Sequence, residues 1–303
     1  MIYSNNEWSP LKRILIGSAT NAHWPVKCPI FRKQEQTTLW KNTPVPSGSV
    51  SKEIINEANE DLENFSNILK SLDIIVERPT NLNFSEFDGM YNYCPRDRIL
   101  IVGDKIIDAP MLYSTRKKEI DAVSHLFSND IISCNDPEVI FDAANVCRIG
   151  KDILYLVSDS GNIKGAEWLS KILQDHNIHV LDNIYKGFHI DSTISVVREG
   201  LVVINADRIN KKNLPDILKD WDIIYINGED IVPQSFVNYP YASKYIALNF
   251  LTVNPNLVIC DPNQTVLRKQ LEGKKVETIG VNLRHSRTLG GGHHCVTLDL
   301  ERD

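Results

Sequence analysis

Short, β-rich hydrophobic runs recur in pairs along this chain, and further apolar segments follow each pair. Two runs joined by a Gly-containing turn predict a β-hairpin, and the first hairpin is predicted at residues 98–102 and 105–108. Residues 117–129 have the pattern of a helix, and residues 130–134 have the pattern of a strand. This stretch therefore predicts one ββαβ unit.

The same order of elements recurs three more times. Its members are predicted at 146–148, 153–157, 164–175 and 179–181; at 194–197, 201–204, 214–220 and 223–226; and at 246–253, 257–260, 264–271 and 276–281. In the predicted helix 164–175, one face is apolar and consists of Ala166, Leu169, Ile172 and Leu173. The repetition predicts one architecture built from similar units.

A fifth unit is split between the two ends of the sequence. Strand 294–300 would pair with strand 11–16, and helix 51–72 and strand 73–77 would complete the unit. A split closing unit favours a closed ring of five units, formed by one domain over residues 1–303. An ordinary α/β sheet with hairpins is the alternative.

One long segment has no periodic pattern. Residues 21–50 are rich in Pro, Lys and Thr. We expect a long loop over one face of the ring, which could act as a lid.

Composition narrows the classes of function. Lys and Arg total 33 and Asp and Glu total 39, so the formal net charge of −6 argues against binding to a nucleic-acid backbone. The first residues lack a signal-peptide pattern, and no apolar run is long enough to span a membrane. The six cysteines form no CxxC pair. We expect a reduced, cytoplasmic protein with neither a nucleic acid nor a membrane as partner.

A polar residue precedes the first strand of each unit. These five residues are Asp97, Asp142, His189, Ser243 and Cys295. Equivalent positions of a ring converge on its axis, so the repeat brings a thiol, an imidazole and carboxylates together. Such a set is a candidate catalytic site.

Each of these residues also has a structural interpretation. Cys295 follows Gly290, Gly291 and Gly292, which permit a positive φ and a close approach to a ligand, but it could be a buried cysteine after a turn. His189 would share a strand face with Asp191, or it could be a solvated histidine of a surface turn. Asp142 could start a turn, and Asp97 could be paired with a neighbouring arginine.

Metal and nucleotide sites are weaker alternatives. His293, His294 and Cys295 are adjacent, but on a strand His294 would point away from the other two. No paired spacing of the CxxC or HExxH kind occurs, and neither GxGxxG nor a P-loop is present. We expect neither a metal nor another cofactor.

Several motifs together resemble the arginine:glycine amidinotransferase family. Arg284 with residues 289–297 is similar to the family's catalytic-cysteine motif. Further similar segments lie, in order along the chain, at 6–11, 95–97, 106–111, 141–144, 187–193 and 207–208. The resemblance implies the pentein fold, a five-bladed α/β-propeller of ββαβ repeats with pseudo-fivefold symmetry, and it also implies a homodimer.

The resemblance assigns a role to each candidate residue. Cys295 would be the nucleophile, His189 the general acid and base, and Asp142 the residue that orients His189 or binds the guanidinium. Asp97 and Asp191 would hold the guanidinium nitrogens. The carboxylate end of an amino-acid substrate would be bound by Arg208 and Ser243.

These roles imply an amidinotransferase that takes the amidino group from L-arginine and releases ornithine. The acceptor would be glycine, lysine, another amino acid or an amine of a specialised precursor. The alternatives are a hydrolase of the same superfamily, which forms citrulline and ammonia, and a binding protein without activity. Two positions depart from the family pattern: Asn145 stands where a second Asp is usual, and Ala242 precedes Ser243 where glycine-using members have two serines.

Overall fold

The computed structural model describes residues 2–37, 43–128 and 130–303. It contains five three-stranded sheets that follow one pattern, in which the middle strand pairs antiparallel with one neighbour and parallel with the other. The sheets consist of Thr297–Arg302, Leu11–Ile16 and Ile75–Glu77; Ile99–Val102, Lys105–Asp108 and Ile131–Ser133; Val146–Ile149, Asp152–Leu156 and Asn177–Leu181; Ile194–Arg198, Leu201–Asn205 and Asp222–Ile226; and Leu251–Asn254, Leu257–Cys260 and Glu277–Gly280. The fold is α/β, and the four predicted hairpins, the predicted pairing of the two terminal strands and the parallel third strands are present.

The α-helices occupy Pro29–Thr37, Lys52–Ser71, Pro95–Arg98, Ile163–Ile172, Thr265–Gly273 and Ser286–Leu289. The longest begins after Ser51, whose hydroxyl accepts a hydrogen bond from the Ile54 backbone N–H, as an N-cap residue does. Its buried face includes Leu62 and Phe65, which places it against the core. Within the described ranges, no helix is long and apolar enough to cross a membrane.

Two predicted α-helices are wrong. The segment 117–129 forms 3₁₀ turns at Ser114–Ala122 and Ser124–Leu126, and its last residue lies outside the described residues. The segment 214–220 contains only the 3₁₀ turn Asp216–Leu218. Pro215 removes a backbone donor there, and so short a segment cannot offset the cost of helix nucleation.

Two predicted strands begin later than expected. Residues Lys244–Leu248 form a 3₁₀ helix, so the fourth unit's first strand starts at Leu251 rather than at 246. The C-terminal strand starts at Thr297 rather than at 294, because backbone bonds from Val296 to Gly292 and from Thr297 to His294 form a turn. Cys295 therefore lies in a turn, and the strand argument about the direction of His294 was wrong.

The segment 21–50 is more ordered than predicted where it is described. His23–Trp24 pairs with Gly48–Ser49, and the helix Pro29–Thr37 follows. The rings of Trp24 and Phe31 are stacked, and Trp24 also contacts Tyr241, 5.0 Å away between ring centroids. Residues 38–42 lie outside the described residues, and a lid role stays a prediction.

A buried cluster of charged residues joins the two ends of the described chain to the first two predicted units, through Arg96 and Arg148. The carboxylate of Asp299 accepts hydrogen bonds from Ser4 Oγ at 2.7 Å, Arg148 Nη2 at 2.6 Å and Arg302 Nε at 2.9 Å. Arg96 also donates to Asp299, and Arg148 binds both carboxylate oxygens of Glu7. All of these side chains are buried, so the cluster fixes the segment from Ser4 to Glu7 in place.

Candidate active site

The turn that carries Cys295 begins at the end of the short helix Ser286–Leu289. Gly290 closes this helix in the left-handed conformation at φ 83°, which favours glycine. A side chain at Gly290 would meet Tyr241 at 2.2 Å, and one at Gly291 would meet Cys94 Sγ at 2.5 Å. The glycines thus allow neighbouring protein groups, rather than a ligand, to approach this backbone.

Cys295 is 2% exposed and faces a carboxylate. Its Sγ lies 3.2 Å from Asp191 Oδ2, and its backbone N–H donates to Asn249 Oδ1 at 2.9 Å. Burial and the negative charge of Asp191 raise the pKa of the Cys295 thiol well above its ordinary value. The cysteine therefore carries its proton at neutral pH until a positive charge enters the site.

His189 lies between two carboxylates. Its Nε2 is 3.0 Å from Asp142 Oδ2, and its Nδ1 is 3.7 Å from Asp97 Oδ1. Burial lowers the pKa of His189, but the charges of Asp97 and Asp142 outweigh burial and raise the pKa to about 9. His189 is consequently a proton donor at neutral pH.

Two carboxylate oxygens beside His189 lack a hydrogen-bond partner among the described residues. Asp97 Oδ2 accepts from Arg116 Nη1 at 2.8 Å, whereas Asp97 Oδ1 and Asp142 Oδ1 are buried without a hydrogen bond among the described residues. Buried carboxylate oxygens are normally satisfied, so this pair can receive the N–H groups of a cationic ligand. Burial raises the pKa of Asp97, although His189 and Arg116 oppose that shift.

The loop of His189 is anchored at the residue before it. The Phe188 carbonyl accepts from Asn145 Nδ2 at 3.1 Å, Ser158 Oγ at 2.6 Å and Ser160 Oγ at 3.0 Å. Asn145 Nδ2 also contacts Ser158 Oγ and the Leu156 carbonyl. An aspartate would offer oxygens where these neighbours require a donor, which explains why an asparagine stands at this position.

Arg208 lies next to this loop. Its Nη1 donates to Thr193 Oγ1 at 2.7 Å and Ser192 Oγ at 3.2 Å, two residues that directly follow Asp191. The guanidinium carbon of Arg208 lies 4.7 Å from the Tyr245 ring centroid. Burial lowers the pKa of Arg208. Ser243 lies two residues before that tyrosine and accepts from the Ile246 N–H through its backbone oxygen. Arg208 is thus a half-buried cation that can hold an anionic group.

The structure brings Cys295 and Asp191 into direct contact, and it forms a second group from His189, Asp142 and Asp97. The charge of Asp191 raises the pKa of His189, and that of Asp97 raises the pKa of Cys295, so the two groups are within electrostatic reach. Arg208 is connected to this site through Ser192 and Thr193, and Ser243 lies two residues before Tyr245, whose ring packs on Arg208. Among the described residues, no His, Cys, Asp and Glu side chains form a cluster that could hold a metal ion.

The sequence interpretation missed three residues of the site: Asn249, His294 and Glu7. Asn249 accepts from the backbone N–H groups of His294 and Cys295, and its signal was a single polar residue in an apolar run. His294 bridges Asp191 and Glu7. Its contact with Glu7 joins residues far apart in sequence, which no local pattern predicts.

Comparison with known proteins shows which family the chain resembles. No protein-family model matches the chain. The chain is 35% identical to inosamine-phosphate amidinotransferase 1 of Streptomyces griseus, over 100% of this chain and 97% of that protein. The solved structure of that organism's inosamine-phosphate amidinotransferase matches with a TM-score of 0.91 at 33% identity, over 100% of this chain and 97% of the other.

Two further comparisons extend the likeness. The mitochondrial glycine amidinotransferase of Gallus gallus is 30% identical, over 99% of this chain and 83% of that protein. The structure of DDAH from Pseudomonas aeruginosa matches in fold alone, with a TM-score of 0.67 at 15% identity over 95% of this chain and 99% of the other. The α/β fold therefore matches those of amidinotransferases and other pentein enzymes. The chain belongs to the amidinotransferase family, as its motifs predicted.

Proposed function

We propose that this protein moves the amidino group of L-arginine to an amine through a covalent intermediate on Cys295. The observation that carries the proposal is the pair of unpartnered carboxylate oxygens, Asp97 Oδ1 and Asp142 Oδ1, beside His189. A guanidinium is planar and cationic, and paired carboxylates bind it through charge-assisted hydrogen bonds. Asp191 would hold a further nitrogen on the side of the thiol.

The overall architecture that we propose for the chain is a closed ring of five units. Five units of the same topology support a five-bladed α/β-propeller, with residues 1–303 as a single domain. The polar residue before each first strand would then face the ring axis. We also propose that the protein is a homodimer in the cytoplasm.

Arg208 and Ser243 would bind the carboxylate of the donor. Arg208 is tethered to Ser192 and Thr193, so it lies one short loop away from Asp191. Its guanidinium lies over the Tyr245 ring and Tyr185 ring without an ion pair to either neighbour. A substrate carboxylate would accept charge-assisted hydrogen bonds from this guanidinium, in addition to the nearby charge of Asp207, which opposes the lowering of the Arg208 pKa by burial.

In the first half-reaction, the bound guanidinium would lower the pKa of Cys295, so that the thiol gives up its proton to solvent, and the resulting thiolate would attack the guanidinium carbon. The new S–C bond forms while the C–N bond to the ornithine chain breaks. His189 gives its proton to the departing nitrogen, so ornithine leaves as a neutral amine. Cys295 keeps the amidino group.

The second half-reaction is the reverse process with another amine. The acceptor nitrogen attacks the amidino carbon, His189 takes the proton from that nitrogen, and the S–C bond breaks. Cys295 is released and a new guanidino compound leaves. The expected kinetics are ping-pong.

The relatives' names indicate two acceptor classes, an inosamine phosphate and glycine. We therefore propose a primary amine of an amino acid or of an aminocyclitol phosphate as the acceptor. Ala242, which precedes Ser243, lacks the hydroxyl that a second serine would add to a carboxylate pocket.

Incubation with L-arginine and single amines is the direct test. We expect ornithine and a new guanidino compound that depends on one amine of a panel with glycine, lysine and an aminocyclitol phosphate, detected by mass spectrometry. Reactions without an amine are the control. Citrulline and ammonia formed without any amine would instead indicate the hydrolase, and unchanged arginine in every reaction would contradict the proposed donor.

The pH dependence tests His189. Ornithine release should fall as pH rises through about 9, because His189 then loses the proton that it gives to the leaving nitrogen. Asp142→Asn removes one of the charges that raise this pKa, so the alkaline decline should move about one pH unit lower. The control is Asp152→Asn, which alters an Asp–His pair with His179 at 2.7 Å outside the site. An unchanged alkaline decline in Asp142→Asn would contradict the role of His189.

A further inference from the structure

The histidine immediately before Cys295 is held between two carboxylates. His294 Nδ1 lies 2.9 Å from Asp191 Oδ2, and His294 Nε2 lies 3.1 Å from Glu7 Oε2. An ionised carboxylate only accepts hydrogen bonds, so both ring nitrogens have to donate. An imidazole that donates from both nitrogens carries a positive charge.

Both carboxylates are in surroundings that keep them ionised. Glu7 is bound by Arg148 at 2.8 and 2.9 Å, and Arg96 lies 3.7 Å away. Burial opposes ionisation, but Arg148 and His294 hold the pKa of Glu7 well below its usual range. Burial likewise raises the pKa of Asp191, whereas the hydrogen bond from His294 contributes most to lowering it to about 2.

Asp191 connects this histidine to the thiol. The same oxygen, Oδ2, contacts both His294 Nδ1 and Cys295 Sγ. A carboxylate alone at this position would oppose formation of a thiolate, because two negative charges would meet in a buried site. A cation bound to that same oxygen offsets its negative charge.

The other groups around His294 do not replace this cation. Arg96 donates to the His294 backbone carbonyl at 2.8 Å, and its charge is bound by Asp299. The cavity wall beside His294, Asp191 and Glu7 is otherwise formed largely by apolar groups and Cys147. The charge of His189 also lowers the pKa of Asp191, but His189 shares that charge with Asp142 and Asp97, which lie 3.0 and 3.7 Å from its ring nitrogens.

We propose that His294 is a fixed imidazolium, which positions Asp191 and offsets its charge so that Cys295 can ionise beside it. His294 touches no reacting atom and is thus a positioning residue. The inference rests on the proposed function only in taking Cys295 as the nucleophile.

His293 provides a matched comparison within the same turn. Its Nε2 lies 2.8 Å from the Val281 carbonyl oxygen, and no carboxylate contact is found for it among the described residues. Burial lowers the pKa of His293. His293 is therefore expected to be neutral, and it is more deeply buried than His294.

Nitrogen NMR of the ¹⁵N-histidine-labelled protein tests the charge directly. Signals are assigned by their loss in His293→Gln and His294→Gln. At neutral pH we expect both ring nitrogens of His294 to have the shifts of a protonated imidazole, and His293 to show one protonated and one bare nitrogen. A neutral His294 would overturn the inference.

Alkylation of Cys295 by iodoacetamide tests the consequence for the thiol. The rate is followed at the Cys295 peptide by mass spectrometry as a function of pH, without arginine. His294→Gln should move the profile about one pH unit upward and slow alkylation about tenfold at neutral pH. His293→Gln should leave the profile in place. Superimposed profiles for His294→Gln and the unaltered protein would contradict the inference.

Glu7→Gln covers the case in which His294→Gln does not fold. The glutamine amide can donate to His294 Nε2, so His294 can become neutral and the alkylation profile should move upward. If His294 were merely structural, Glu7→Gln would move the alkylation profile downward in pH, because it would only remove a negative charge near the thiol. A shifted profile together with unchanged arginine would support this inference while contradicting the proposed function, so the two can fail separately.

Discussion

Cys295→Ser is expected to lower turnover of arginine by at least about 10⁴-fold, because a hydroxyl ionises far less readily than a thiol and His189, which is protonated at neutral pH, cannot serve as its base. The substitution removes little volume, so the fold should persist. The measurement is ornithine formation, together with the intact mass of enzyme incubated with arginine. The unaltered enzyme should carry one amidino group, and the variant none.

Cys134→Ser is the control for this substitution. Cys134 is a partly exposed cysteine outside the site, and its replacement should leave both turnover and the adduct unchanged. Turnover retained in Cys295→Ser would refute covalent catalysis. An adduct mapped to a different cysteine would move the nucleophile to that residue.

Asp299→Asn should lower the free energy of unfolding by about 3–5 kcal/mol, since the buried cluster would keep its three arginines without their central carboxylate. Arg96, Arg148 and Arg302 all contact Asp299, whose side chain is fully buried. The expected loss is read from urea unfolding at neutral pH, with the slope of the transition unchanged.

The pH dependence of this effect has a definite sign. Burial opposes ionisation, but Arg148 and the other arginines hold the pKa of Asp299 well below its usual range. Its contribution is therefore complete above the unfolded-state pKa of about 3.9 and is lost only as pH falls toward the lower folded-state pKa. The difference between the variant and the unaltered protein should stay constant from about pH 5 to 8.

Asp303→Asn is the matched control for Asp299→Asn. Asp303 belongs to the same end of the chain, but its ion pair with Lys12 is solvent-exposed. Exposed pairs contribute about 0–1 kcal/mol, so this variant should unfold almost like the unaltered protein. Equal stability of the Asp299 and Asp303 variants would show that the buried cluster does not stabilise the fold.

Hydrophobic patterning predicted the β-hairpins because their information is local. The turn at Gly103 and the apolar runs on both sides of it specify the strands Ile99–Val102 and Lys105–Asp108 without reference to the rest of the chain. The helix at 117–129 failed for the opposite reason. Its polar, weakly periodic sequence leaves the conformation to tertiary packing.

The site was predictable as a set of residues rather than as a geometry. The repeated position before the first strand of each unit, together with the family motifs, pointed to His189, Asp142 and Asp97. The structure places both carboxylates beside His189. The strand assigned to residues 294–300 concealed His294, because a turn directs that side chain between Asp191 and Glu7. The hydrogen bonds from the Cys295 turn to Asn249 cross between units, and no pattern within one unit contains them.

The pairing of Leu11–Ile16 with Thr297–Arg302 sets the order in which a newly made chain can fold. Ser4 and Asp299 lie 295 residues apart along the chain, so this contact closes the largest loops and forms late. While the ribosome is still adding residues, the strand Leu11–Ile16 has one uncovered edge that can pair wrongly. Glu7 and His294 also meet only at that final step, so the turn that carries Cys295 can take its final form only after the last strand has been made.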